Sequence, residues 1–203
     1  MSYKNHISKI IFAMLLASWG IPQAHAVGLG FSFGTGNEEW EKDRVNAGDR
    51  NVSNMGFVLD TAVRRNRVFN YRFSFLKEKN DADGNGINME GYTTVHDFGF
   101  GVLRERNVRL WLGPQLRASY YEDIYLNSSS VPGDVVGFTV GPVIGVNVNM
   151  PQVVSFSFTA AYHILGGYAG DYNDTNSNIY YTDVDVDSNG LYLTAALIFR
   201  INE

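Results

Sequence analysis

Oxygen donors at every second position, followed by a glycine turn, can wrap a hard cation. One such run is NDADGNGINME, residues 80–90, where Asp81, Asp83 and Asn85 alternate with single residues and Gly86 follows. A complete calcium loop closes on a bidentate Glu at its twelfth position. That position is Tyr92, and Glu90 falls two residues early. Asp81, Asp83, Asn85 and Glu90 are thus a candidate calcium or magnesium loop without its closing ligand, and the competing reading is a polar hairpin turn. A second run, GDYNDTNSNIYYTDVDVDSNG (170–190), sets Asp171, Asp174, Asp183, Asp185 and Asp187 among Tyr172, Tyr180 and Tyr181. Exposed tyrosines give contact area at low entropic cost. The run is a candidate recognition loop or weak divalent-cation site, against a plain solvated acidic loop.

Nucleophilic chemistry is poorly supplied. The chain has no cysteine, so it has no thiol nucleophile, thiolate metal site or disulfide. His163 is the one histidine of the second half, and its neighbour two residues on is Leu165. A base without an adjacent nucleophile is half a mechanism. His96 adjoins Asp97, but successive strand residues face opposite ways. The expectation is a protein that is not an enzyme. One more residue demands a reason. In FNYRFSF (69–75) four aromatics alternate with Asn70, Arg72 and Ser74, placing a guanidinium mid-strand, where burial is costly.

These residues must be positioned by strands. Alternation of period two runs through nearly the whole chain, with no helical period, in eight segments at roughly 27–36, 53–63, 68–79, 90–103, 107–120, 134–148, 152–165 and 189–202. RRNR (64–67), RERN (104–107) and NMPQ (149–152) read as tight turns, and 37–52, 80–89, 121–133 and 166–188 as long polar loops. Short connections at one end and long ones at the other describe an up-and-down antiparallel barrel. Before it, Lys4 and Lys9, the apolar IIFAMLLASWGI and the small-x-small AHA form a secretory signal segment, with cleavage expected after Ala26. Residues 27–203 are then one barrel domain. All 21 acidic residues, and all basic residues except those two lysines, follow Ala26, so this part carries −7, which argues against a nucleic-acid partner.

A soluble barrel and a membrane barrel assign the apolar face oppositely. Here Val27, Leu29, Phe31 and Phe33 alternate with Gly28, Gly30, Ser32 and Gly34, and Val154, Phe156, Phe158 and Tyr162 with Ser155, Ser157, Thr159 and His163. A face of Gly, Ser, Thr and Asn with almost no Lys or Glu suits the lining of a narrow barrel better than a water-exposed surface. The apolar face then meets lipid, as in a transmembrane barrel. The same parity turns Asp60, Arg72, Asp97, Arg109, Arg117 and Arg200 into the lumen. Eight strands enclose a space that side chains can fill, so these six are expected to form a polar network there. The competing reading is a gate on a narrow solute path. Pro114 and Pro142 lie equidistant from residue 128 in consecutive strands and predict a local kink in the wall.

With this pattern, the chain resembles the small outer-membrane barrels of the outer-membrane protein A, X and W types over essentially all of 27–203. The last strand, GLYLTAALIFRINE (190–203), carries Leu191, Leu193, Ala195, Leu197 and Phe199 on alternate positions and looks like the C-terminal signal read by the outer-membrane assembly machinery. It departs from that signal in running on as Arg200-Ile201-Asn202-Glu203. The resemblance implies location in a bacterial outer membrane, termini and short turns in the periplasm, long loops outside, contact with lipopolysaccharide and no cofactor. Tyr92, Tyr120, Tyr121, Tyr162 and Tyr168 are expected to form an interfacial girdle. Surface contact, adhesion or envelope integrity through the outer loops is the leading function. A narrow conduit comes second and a lipid A-modifying enzyme third.

Overall fold

The computed structural model describes residues 27–42, 45–61, 68–83, 87–105, 107–126, 129–150, 153–174 and 179–201. The expected signal segment, 1–26, lies outside them, as does the turn 64–67. The described chain is all strand: β1 (Val27–Lys42), β2 (Val45–Asp60), β3 (Phe69–Ala82), β4 (Ile87–Arg104), β5 (Val108–Leu126), β6 (Ser129–Val131), β7 (Gly133–Asn149), β8 (Val154–His163), β9 (Leu165–Asp174) and β10 (Ile179–Ile201). Each main strand pairs antiparallel with its neighbour, and β1 pairs with β10 from Val27↔Ile201 to Glu41↔Asp187, which closes the ring. The ring has eight staves. The segments β8 and β9 make one stave in two halves, and β6 is a three-residue strap on the end of β5.

The break in that stave follows from proline. Strand β7 pairs with β9 up to Val140↔Leu165 and resumes with β8 at Val143↔Ala161. Between them Gly141 and Pro142 face three residues, Tyr162 to Ile164, which is a bulge. Its outer edge is held by Ile164 N donating to the Val140 carbonyl at 3.1 Å. Just beyond, Gly166 takes φ = 137°, and a Cβ there would run into the Phe138 carbonyl oxygen. Pro114 pairs directly with Pro142. On the far side of Pro114, the β4–β5 ladder skips from Asp97↔Gln115 to Phe100↔Leu112. Neither proline can donate to a ladder, so the wall is interrupted on both sides of the β5–β7 pair at one height.

Outward positions form an apolar belt. Leu29, Phe31, Phe33, Met55, Phe57, Phe75, Phe100, Phe138, Phe158 and Leu193 are all exposed, Phe33 at 64%. Their neighbours Ser32, Ser74, Thr139 and Ser157 are buried inside. Greasy outside and polar inside is the arrangement that hydrocarbon demands of a closed sheet.

The loops differ from expectation. Segments 37–52, 80–89, 121–133 and 166–188 are mostly strand, so the barrel wall continues well above the belt. The cause is continued alternation. Glu38 and Trp40 point inward and are buried, while Asn37, Glu39 and Glu41 are exposed. Their polar composition resembles a loop, but it belongs to a strand whose outer face meets water. Above the belt the interior turns apolar: Trp40, Met89, Tyr121, Ile124, Val131, Val135, Tyr168 and Val184 form one core, with Tyr172 and Val186 packed on it. Tyr121 and Tyr168 therefore do not join an interfacial girdle. Tyr92 and Tyr162 remain exposed at the belt.

Candidate functional site: the filled lumen

Buried charges follow one another along the barrel. At the level of Trp111, Asp60 on β2 and Arg72 on β3 are direct cross-strand partners 2.6 Å apart. The Arg72 guanidinium also donates to Asn147 Oδ1 at 3.0 Å and lies 5.2 Å from the Trp111 ring centroid. Asn147 Oδ1 further accepts from Ser157 at 2.8 Å and Trp111 Nε1 at 3.3 Å. This is why Arg72 can sit mid-strand: inside the ring its charge meets a carboxylate, an amide and an aromatic face. Arg109 is buried beside Asn70, at 3.4 Å.

The next tier is a hydrogen-bonded chain. Asp97 accepts from Gln115 Nε2 at 2.6 Å, Gln115 Oε1 meets His163 Nε2 at 2.8 Å, and His163 Nδ1 meets Thr139 Oγ1 at 2.6 Å. Because Asp97 takes the amide N–H, the Gln115 carbonyl is left to accept from His163 Nε2–H. His163 Nδ1 then accepts from the Thr139 hydroxyl. A hydroxyl does lie beside His163, from a strand that sequence adjacency could not reveal. All four groups are buried.

Above this, Glu78 is ion-paired with Arg117, accepts from Tyr121 OH at 2.6 Å and meets Asn54 Nδ2 at 3.4 Å. Arg117 stacks 4.3 Å from the Tyr192 ring centroid. Uppermost, Glu38 accepts from four neutral donors: Trp40 Nε1 at 3.0 Å, Asn80 Nδ2 at 2.9 Å, and the hydroxyls of Tyr168 and Tyr192. Arg50 lies 4.0 Å from the Trp40 ring centroid and bonds Asn80 and the Ile87 carbonyl. Burial pulls the Arg50 guanidinium below its ordinary value, and the Glu38 charge opposes that. The charged side chains buried among the described residues are four arginines (50, 72, 109, 117) against Glu38, Glu78, Asp60 and Asp97. The interior is formally neutral.

Of the six lumen residues read from parity, five are brought inside. Arg200 is not: it sits at the lower rim, partly exposed, donating to the Met150 carbonyl at 2.8 Å. Its parity is inward, opposite Gly28, but there the wall ends. Glu38, Arg50 and Glu78 were missed. Glu78 was available to parity, following Arg72, Ser74 and Leu76 on one face. Glu38 and Arg50 were hidden by reading 37–52 as a loop.

The candidate cation loop is arranged otherwise. Lys79 lies 3.6 Å from Asp81 and 3.8 Å from Glu90, and Lys77 lies 3.8 Å from Glu90. A lysine thus sits between the two carboxylates. Asp83 is exposed, with its N–H on the Asp49 carbonyl at 2.9 Å, and Asn85 lies outside the described residues. In the second run Asp171, Asp185 and Asp187 are exposed, Asp171 directly opposite Asp134, and Tyr172 is half-buried on the upper core. Asp174, Tyr180, Tyr181 and Asp183 lie in β9 and β10, with side chains outside the described residues. The run is a hairpin of the wall, not a free loop. Tyr71 OH bonds His96 Nδ1 at 2.7 Å on the outer face, which accounts for the second histidine.

No family profile matches the chain, and no curated protein matches it in sequence. Solved structures do. The crystal structure of Neisserial surface protein A (NspA) aligns at TM-score 0.50 and 13% identity, covering 88% of this chain and 99% of that one. The outer membrane protein OprG from Pseudomonas aeruginosa aligns at TM-score 0.53 and 12% identity, covering 89% and 98%. The outer membrane protease OmpT from Escherichia coli aligns at 0.40 and 8% identity over 87% and 96%, too distant to bear on activity. At such identities the likeness is one of fold, and it joins the closed eight-stave ring, the apolar belt and the polar lumen. The chain has the fold of the small outer-membrane β-barrels.

Proposed function

We propose that this is a non-enzymatic bacterial outer-membrane protein that works through the outer face of its tall hairpins, in surface contact, adhesion or envelope integrity, while its lumen stays closed. The observation that carries this reading is the packing of the interior above the belt, where Trp40, Met89, Tyr121, Ile124 and Tyr168 are all buried over a charge-neutral polar column. An aqueous path would need those side chains to part. The outer face at the same height is available for contact and strongly acidic, with Glu39, Glu41, Asp49, Glu122, Asp123, Asp171, Asp185 and Asp187 exposed. The Thr139–His163–Gln115–Asp97 chain has the order of a hydroxyl, a base and its orienters, but substrate would have to reach a buried hydroxyl. A solute conduit is the second reading, favoured by the Gly- and Ser-rich lining of the lower lumen.

The test is exchange. Cells displaying the barrel with the exposed Asp171, Asp185 and Asp187 of the β9–β10 hairpin replaced by Ser or Thr should lose surface binding, whether to host material or to lipopolysaccharide, while keeping heat-resistant barrel migration. Unchanged binding in that variant, with binding lost in an interior variant, would overturn the reading.

A further inference from the structure

We infer that Asp97 is an acid-sensitive element built into the lumen, whose protonation loosens the closed interior. This goes beyond the surface function and rests only on the closed lumen of that reading. The inference comes from comparing the four buried carboxylates. Asp60 is ion-paired with Arg72 at 2.6 Å. Glu78 is ion-paired with Arg117 and takes a second bond from Tyr121. Glu38 has four donors. Asp97, only 3% exposed, takes a side-chain bond from one neutral amide, Gln115, and forms none of the ion pairs among the described residues.

Its surroundings explain why it is the weak point. On β3 the cross-strand residue is Arg72, whose guanidinium is turned to Asp60 on β2. On β5, Gln115 faces it, and Arg117 is two residues further along the same face. On β8, His163 is reached only through the Gln115 amide. A buried carboxylate is held ionised by cations and donors and driven neutral by desolvation. With the fewest of the former and nearly complete burial, Asp97 carries the least compensated of the four buried negative charges. Neutral Asp97 leaves four buried arginines against three carboxylates, an uncompensated charge at low dielectric. It also exchanges the charged acceptor that orients Gln115, and through it His163 and Thr139, for a neutral one.

The test is conductance in planar bilayers from pH 7.5 to 4.5, for the wild type, Asp97→Asn and His163→Gln. The wild type should be closed at pH 7.5, with conducting events rising about tenfold across the range, the population change that ~1.4 kcal/mol produces. Asp97→Asn, permanently neutral and isosteric, should conduct at pH 7.5 as the wild type does in acid, and lose the pH step. His163→Gln, which alters the same hydrogen-bonded chain and leaves Asp97 in place, should keep the step. A wild type without a step, a step retained in Asp97→Asn, or a step lost in His163→Gln would each overturn the assignment. Asp97→Glu, which keeps a titrating group, should restore the step if the Asn variant folds poorly.

Discussion

At the scale of single residues, the cost of a buried charge depends on what surrounds it. Arg72→Ala removes one partner and leaves Asp60 buried, which costs ~3–5 kcal/mol. Replacing both, as Asp60→Leu with Arg72→Met, should recover most of that loss, because an apolar pair of similar volume is often neutral. Equilibrium urea unfolding in lipid vesicles measures both, and equal losses in the single and double variants would show that the pair is not a unit. Glu38→Ala orphans four donors, each worth ~1–3 kcal/mol if left unsatisfied, and should cost more than Glu38→Gln in the same assay. The direction of Arg72 was legible from parity alone, because one face of its strand is four aromatics. Thr139 beside His163 was not. Those two side chains come from β7 and β8, and their meeting depends on a register that the Pro142 bulge sets.

At the scale of elements, wall height separates the observed fold from the expected one. Trp40 lies in a stretch rich in Asn and Glu, and a tryptophan in a solvated loop could be truncated within about 0.5 kcal/mol. As part of the upper core, stacked on Tyr168 at 4.8 Å between ring centroids, Trp40→Ala should cost ~3–5 kcal/mol. Urea unfolding distinguishes the two outcomes. Expected strand number and strand direction agree with the structure, because alternation between an apolar and a small-residue face is unambiguous inside the belt. Above it both faces carry polar residues and composition masks period two, except in TDVDVD (182–187), whose alternation points to strands that extend above the membrane. The direct pairing of Pro114 with Pro142 was suggested by their equal distance from residue 128, and the hairpin register realises it.

At the scale of the whole molecule, the chain is a wall with three environments: lipid outside the belt, water outside the hairpins, and a charge-neutral interior that is polar below and, above, an apolar core packed around Glu38 and Arg50. The belt and the lumen were readable because hydrocarbon imposes a strict division between faces. The apolar upper core was not, since Met89, Ile124, Val131 and Val184 come from three segments that read separately as polar loops. The account rests most heavily on that interior being closed at neutral pH. Single-barrel conductance of residues 27–203 in planar bilayers at pH 7.5, compared with a Trp40→Ala/Tyr168→Ala variant, tests it directly. The wild type should give no defined steps and the variant should leak. Regular conductance steps in the wild type, unchanged by emptying the upper core, would contradict the closed interior and make solute passage the leading function.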